Sequence, residues 1–159
     1  MTEPSFTATM QLGIVVPDVE AAVRTYRDIY GIDGWTIMEI GSENTEDVRL
    51  HGRPLEWKSK IAVTMVGNVM WELIQPLDEN DLFGRFLAER GGVGGVHHVA
   101  VGTPDFRQVV HAHAGRGNVP ILSGTFSGVE VQYLDTERDL GVILEVFSHL
   151  PGEVADGFS

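Results

Sequence analysis

The sequence predicts an α+β fold built from two copies of one strand–helix–three-strand module, within a single domain spanning residues 1–159. Three observations lead there. An internal repeat divides the chain. Each copy switches from strand-like to helix-like periodicity at a Pro-Asp pair. Polar residues that interrupt the apolar strands recur at matching places in the two copies.

The first copy opens with "MQLGIVVPDVEAAVRTY" from Met10, which lies over "HHVAVGTPDFRQVVHAH" from His97. Gln11 then matches His98, Pro17 matches Pro104 and Asp18 matches Asp105. Each stretch reads as a short apolar strand, a turn and a helix. Asp18 and Asp105 suit the N-cap, where a carboxylate accepts orphan backbone N–H groups and complements the helix dipole. Val19, Ala22, Val23, Tyr26 and Ile29 give the first helix an apolar face, and Phe106, Val109, Val110 and His113 do so more weakly for the second.

The repeat has a second half. "VMWELIQPL" from Val69 lies over "VILEVFSHL" from Val142, which brings Glu72 onto Glu145. Between these anchors the first copy is longer, and the extra residues fall in the polar stretch "SENTEDVRLHGRPLEWKSK". "DENDLFGRFLAERGG" reads as a connecting helix ending in a glycine pair that suits a C-terminal cap. Module one thus covers about 9–77, the linker helix about 78–95 and module two about 96–148. In module two, "VPILSGTFSGVEVQYLDTERDLGVILEVF" alternates in runs broken by Gly and by the turn residues DTERDLG. The tail after His149 is rich in Gly and acid and is expected to be loosely held.

Alternation separates the two adjacent histidines, because neighbours in a strand point to opposite faces. Leu12, Ile14 and Val16 form the apolar face of the first strand, leaving Gln11 and Gly13 on the other. His97, Val99 and Val101 share the apolar face of the equivalent strand, and His98 lies opposite with Ala100. His98 is therefore assigned to a site and His97 to structure. A Glu in an apolar strand is commonly a solvent-facing edge residue, but Glu72 and Glu145 occur at equivalent places, and burying an unpartnered charge is costly. A pseudo-twofold pairing of the copies would gather Gln11, Glu72, His98 and Glu145. One imidazole, one amide oxygen and two carboxylates suit a hard or borderline divalent ion.

Composition narrows the classes. The chain is 43% hydrophobic and 21% charged, ordinary for a soluble globular domain. Its formal charge of −12 argues against nucleic acid as a partner, which would need a basic stripe, and favours solubility and cationic ligands. No apolar run approaches the roughly 18 residues of a membrane span, and "MTEPSFTATM" lacks the basic and apolar regions of a signal peptide. With no cysteine, a cytoplasmic protein without disulfides or thiol chemistry is expected. Any metal must be held by His, Glu, Asp or Gln.

At these residues the sequence resembles the vicinal oxygen chelate superfamily, which includes glyoxalases, bleomycin-resistance proteins and extradiol dioxygenases. The resemblance covers about Met10 to Phe147. It implies two paired βαβββ modules forming a curved mixed sheet around a metal cleft, a usual homodimer, and Gln11, Glu72, His98 and Glu145 as the metal positions. Within the superfamily the likeness is to the methylmalonyl-CoA epimerase family, carried by "VPDVEAAVRTYRDIYGI", "VGNVMWELIQPLDENDLFGRFLAERGGVGGVHHVAV" and "GVILEVF". Two departures stand out. Epimerases of this type usually have His where this chain has Gln11, and a Gln-Glu-His-Glu set resembles some glyoxalase I enzymes. The epimerases also carry a second carboxylate on the strand before Glu72, and "KIAVTMVGN" has none.

The resemblance implies an enzyme that moves a proton at the carbon next to a carbonyl polarised by a divalent ion (Co, Ni, Zn, Mn or Mg). Glu145 is the first candidate base and Glu72 the second. Arg49, Arg53, Lys58 and Lys60 form a basic cluster that is either a solvated loop or a clamp for an anionic small-molecule substrate, such as an acyl-CoA or another carboxylate. The longer segment at residues 42–60 suggests an altered substrate pocket. His51, His111, His113 and His149 have no repeat-matched partner and read as surface or helix-face residues, and Trp35, Trp57, Trp71, Tyr26 and Phe147 as core or pocket wall. Competing classes are a glyoxalase I-like lyase, a metal-free binding protein like the bleomycin-resistance proteins, and an Fe(II) dioxygenase. The last needs two His and one carboxylate, and Gln11 breaks that triad.

Overall fold

The computed structural model describes residues 5–150. The tail beyond Leu150, expected to be loosely held, lies outside the described residues. In chain order the elements are β1 (Ala8–Val15), α1 (Val19–Tyr30), β2 (Thr36–Gly41), β3 (Glu46–Leu50), β4 (Arg53–Pro54), β5 (Lys58–Val66) and β6 (Val69–Pro76). They continue with α2 (Leu82–Glu89), β7 (Gly95–Gly102), α3 (Phe106–Gly115), β8 (Pro120–Phe126), β9 (Val129–Leu134), α4 (Glu137–Leu140) and β10 (Ile143–Phe147). This is the α+β pattern expected from the repeat. The described residues form two compact units, one of Gln11–Asn44 and Glu56–His98, the other of residues 5–10, Thr45–Leu55 and residues 99–150.

In the first unit the strands run in the order β2-β5-β6-β1. β5 is antiparallel to both β2 and β6, and β1 lies parallel to β6. A parallel neighbour needs a crossover, which α1 begins. Asp18 caps α1 by accepting the N–H of Ala21 at 2.9 Å, and the Gln75 side chain accepts that of Val19, also at 2.9 Å. Gly31 ends the helix in the left-handed region at φ 68°, where a side chain would be strained. The apolar face read from the sequence is buried over its first two turns, while Ile29 near the helix end is exposed. Val19 and Val23 pack with Ala62 and Leu73, flanked by Ile14, Val16, Ala22, Tyr26 and Trp35. Each fully buried aliphatic side chain here contributes about 1.5–3 kcal/mol. Tyr26 also meets the Trp35 and Trp71 rings, which makes those aromatics core.

Between β6 and β7 the chain forms α2. Asp81 caps α2, and Gly91 and Gly92 close it by donating to Ala88 and Leu87. Inside α2, Phe83 and Phe86 sit at i and i+3 on one face. Arg90 lies over the Phe86 ring and donates to the Gly94 carbonyl, fixing the chain as it enters β7.

In the second unit β10-β9-β8-β3-β4 form an antiparallel run. Its core gathers Val101, Val109, Leu134, Leu144 and Val146, with Phe6, Val99, Phe106 and Val142 against them. His113 is buried on α3 beside Phe6, a helix-face residue as expected. Two details differ from the sequence reading. The polar stretch of module one forms the β3–β4 hairpin and groups with the second unit, because β3 pairs with the edge of β8. Val48 is the buried residue of β3, and Gly124 of β8 leaves the space it fills. The DTERDLG turn holds a single turn of helix, α4, anchored by buried Thr136. Its hydroxyl donates to the Val142 carbonyl at 2.9 Å and accepts the Leu144 N–H at 3.0 Å.

Asp81 gives the fold a pH dependence. It is 1% exposed, its Oδ1 accepts the Gly84 N–H at 2.7 Å, and Oδ2 is buried. Burial pushes its pKa up to about 6, against the pull of the Gly84 N–H. A raised folded-state pKa means that the folded chain holds the proton more tightly than the unfolded one. That stabilisation is complete below about pH 4 and is lost as pH rises through about 6. Asp81→Asn mimics the protonated acid and should remove this loss. Denaturant titrations should show wild type falling relative to Asp81→Asn by up to about 3 kcal/mol between pH 4 and pH 7. Parallel curves would show that Asp81 does not titrate in this range.

Candidate functional site

The parallel register of β1 on β6 sets Gly13 opposite Glu72 and Ile14 opposite Leu73. Opposed residues share a face, so Ile14 and Leu73 go under α1 while Gln11, Gly13 and Glu72 take the other side. There the Gln11 amide donates to Glu72 Oε2 at 2.5 Å. Gln11 is buried, and the Glu72 side chain keeps 13% of its exposure. His98 enters the same place from β7. A Cβ on residue 13 would fall within the His98 ring, so glycine is what lets the imidazole reach this face. His98 is fully buried, and its Nε2 stands 3.8 Å from Glu72 Oε2. The structure thus brings three of the four repeat-matched residues together in one unit.

His97 takes the opposite side, as alternation requires, and packs edge-on against Phe83 and Phe86 of α2, with ring centroids 5.1 and 5.0 Å away. Burial, and beyond it the neighbouring His98, push its pKa down to about 3, so it is neutral throughout the physiological range. The two histidines nevertheless touch, Nδ1 to Nδ1 at 3.0 Å. Sequence reasoning missed this contact, because strand alternation fixes the face of a side chain and not its ring torsion.

Glu145, the fourth residue, belongs to the second unit. It lies on β10 opposite Tyr133 and is 4% exposed, while its neighbours Leu144 and Val146 turn into that unit's core. Among the described residues no three His, Asp or Glu side chains form a metal-type cluster. The first-unit donors nevertheless fit a divalent ion by their chemistry: an imidazole, a carboxylate and an amide whose oxygen would replace, on turning, the N–H now given to Glu72. Two ligands about 2.1 Å from one ion can stand up to about 4.2 Å apart, which accommodates the 3.8 Å between His98 and Glu72.

Residues 10–132 match the profile of the Glyoxalase/Bleomycin resistance protein/Dioxygenase superfamily. The chain belongs to this superfamily. Among curated protein sequences none matches it. Solved structures with the same fold include a methylmalonyl-CoA epimerase in complex with methylmalonyl-CoA and NH4+, at 23% identity and TM-score 0.67, over 95% of this chain and all of that one. A variant of the Streptomyces coelicolor methylmalonyl-CoA epimerase in complex with 2-nitronate-propionyl-CoA has 24% identity and TM-score 0.65, over 90% of this chain and 94% of that one. The Mycobacterium tuberculosis methylmalonyl-CoA epimerase has 17% identity and TM-score 0.66, over 95% and 93%.

This superfamily member does not gather its basic cluster into one place within a unit. Lys58 and Lys60 lie on β5 in the first unit and pair with Glu39 (2.6 Å) and Glu20. Arg49 and Arg53 lie on β3 and β4 in the second, and Arg49 pairs with Asp47 at 2.9 Å. Such exposed pairs contribute little to stability, yet they occupy the charges a substrate clamp would use. A cleft of about 170 Å³ opens beside Lys58, lined by Glu39, Glu43, Glu56 and Trp57 among others, at the foot of the inserted segment.

Gly13→Ala tests the close approach of His98. Overpacking of this kind costs about 1–3 kcal/mol, and the ring must move. Gly115→Ala, where an added Cβ meets nothing, is the matched control and should be neutral or mildly stabilising. Equal stability of the two variants in urea would contradict the packing described.

Proposed function

We propose that the chain is a divalent-metal-dependent isomerase or epimerase acting at the carbon next to a carbonyl. The convergence of Gln11, Glu72 and His98 on one buried face carries this proposal. Those three residues would hold the ion, with Glu145 as the fourth ligand. The ion, when bound, supplies the positive charge that stabilises an oxyanion developing on the substrate. Glu145 is the proposed base that removes and returns the proton, with Glu72 the alternative. Since a carboxylate cannot be a tight ligand and a free base together, the acting one would have to loosen when substrate binds.

Opposite Glu72 on β5 stands Val63, with Ile61 on the same face, so this strand offers no second carboxylate. A single residue that both takes and returns the proton is therefore favoured over a two-base exchange. The proposed substrate is a small anionic molecule, an acyl-CoA or another carboxylate. Arg53, exposed on β4, is one candidate for its recognition, and Arg49, Lys58 and Lys60 would have to exchange their present carboxylate partners to join it. The Gln11 amide in the ligand set supports a second reading, a glyoxalase I-like lyase that uses the same proton transfer on a hemithioacetal.

A substrate panel of acyl-CoAs, hemithioacetals and 2-oxo acids in deuterated water, with Mg, Mn, Co, Ni or Zn supplied, decides between these. Solvent deuterium should enter substrate or product, and Glu145→Gln should suppress the exchange. Oxygen uptake would point to a dioxygenase instead. Binding of a cationic drug by metal-free protein, with no exchange, would point to a sequestering protein. His98→Ala should remove most of the metal bound by wild type, and unchanged metal content would contradict the ligand assignment.

A homodimer is also proposed. Val93, Ile29, Tyr30 and Met65 are 81, 71, 68 and 56% exposed, apolar surface that a second copy would cover. Light scattering at micromolar concentration should give twice the 17.4 kDa chain mass, and a monomeric mass would contradict it. No helix among the described residues is long and apolar enough to cross a membrane, and a cytoplasmic location is proposed from the lack of cysteine.

A further inference from the structure

We propose that Asp33–Gly34 is a site of spontaneous covalent modification, where the Gly34 nitrogen closes on the Asp33 carboxyl and the Thr64 hydroxyl promotes the step. This chemistry is independent of the reaction proposed above. Asp33 is exposed in the joint between α1 and β2, and the Gly34 N–H donates to Asp33 Oδ1 at 2.8 Å. Since Oδ1 is one bond of about 1.23 Å from Cγ, that nitrogen stands within about 4 Å of the carbon it would attack. Glycine carries no side chain to crowd the approach, and Gly34, at φ 79°, holds a backbone conformation that suits it.

The same peptide group is held from its other side. The Thr64 hydroxyl on β5 donates to the Asp33 carbonyl at 2.8 Å, and Thr64 is buried. The peptide unit is planar, so a donor that fixes its oxygen also fixes the direction of its N–H. The donor acts electronically as well. An amide nitrogen becomes a nucleophile by losing its proton, and the resulting charge is carried largely by the carbonyl oxygen, where Thr64 donates. The N–Cγ bond forms and the Cγ–OH bond of the protonated carboxyl breaks. The amide proton and that hydroxyl leave as water, giving a succinimide. Water then adds to one of its two carbonyls and that C–N bond breaks, giving aspartate or isoaspartate. In isoaspartate the main chain runs through Cβ and Cγ and gains one atom. That atom falls in a tied segment, where the Ile32 N–H donates to the Tyr26 carbonyl at 3.0 Å and the Trp35 indole donates to the Ile32 carbonyl at 2.8 Å.

The test incubates the full-length chain at neutral pH in 18O-labelled water, beside a synthetic peptide of residues 28–49. Each succinimide cycle leaves an 18O atom on residue 33, which mass spectrometry reads in the tryptic peptide, while electron-transfer fragmentation reads isoaspartate. Label should enter residue 33 faster in the folded chain than in the synthetic peptide, and Asp33→Glu should lose it. Thr64→Val keeps the shape of the side chain without its hydroxyl, and in the folded variant label should enter about fivefold more slowly. The chain's other Asp-Gly pair, Asp156–Gly157, lies outside the described residues and falls in a separate tryptic peptide. Label that enters residue 33 no faster in the folded chain than in the synthetic peptide overturns the proposal, whether or not Thr64→Val folds. An unchanged rate in folded Thr64→Val does so too.

Discussion

The parallel pairing of β1 on β6 is the constraint on which the site depends. Its register puts Gly13 across from Glu72 and Ile14 across from Leu73, and each pair is committed to one face. A slip of one residue would send Gln11 under α1 and turn Ile14 toward His98. The aliphatic cluster of Val19, Val23, Ala62 and Leu73 prevents such a slip, because it would expose that cluster's partners. Burial on one side of the sheet therefore fixes the polar arrangement on the other.

That polar arrangement is an unfavourable thing to bury unless its groups satisfy one another. Gln11 and Glu72 share a proton donor and acceptor, and His97 and His98 share another. The linker helix contributes through Phe83 and Phe86, which surround the imidazole on the far side of the strand. The connecting segment is thus part of the site's support. Asp81 then ties the start of that helix to the pH of the surroundings through a buried carboxyl that favours its proton.

Much of this was legible in the sequence for a physical reason. The N-cap aspartates Asp18 and Asp105, the buried faces of α1 and α3 and the placement of Gln11 beside Glu72 all follow from local periodicity and the repeat. What was not legible depends on contacts distant in the chain or on side-chain torsions. The β3–β4 hairpin finds its partner in β8, far along the sequence, and no local pattern names that partner. The His97–His98 contact needs both rings turned toward each other, which alternation does not specify. The basic cluster left a solvated loop and a clamp both open because sequence proximity hides Glu20 and Glu39, which the fold brings to Lys60 and Lys58, and does not show that Arg49 pairs with Asp47.

The most direct test of the site is X-ray absorption at the metal edge of protein loaded with one equivalent of cobalt(II). A shell of oxygen donors with a single imidazole is the predicted result, since His98 is the imidazole that the described residues of the first unit bring beside Gln11 and Glu72. Two imidazoles in that shell, or cobalt that remains in solution, would contradict it.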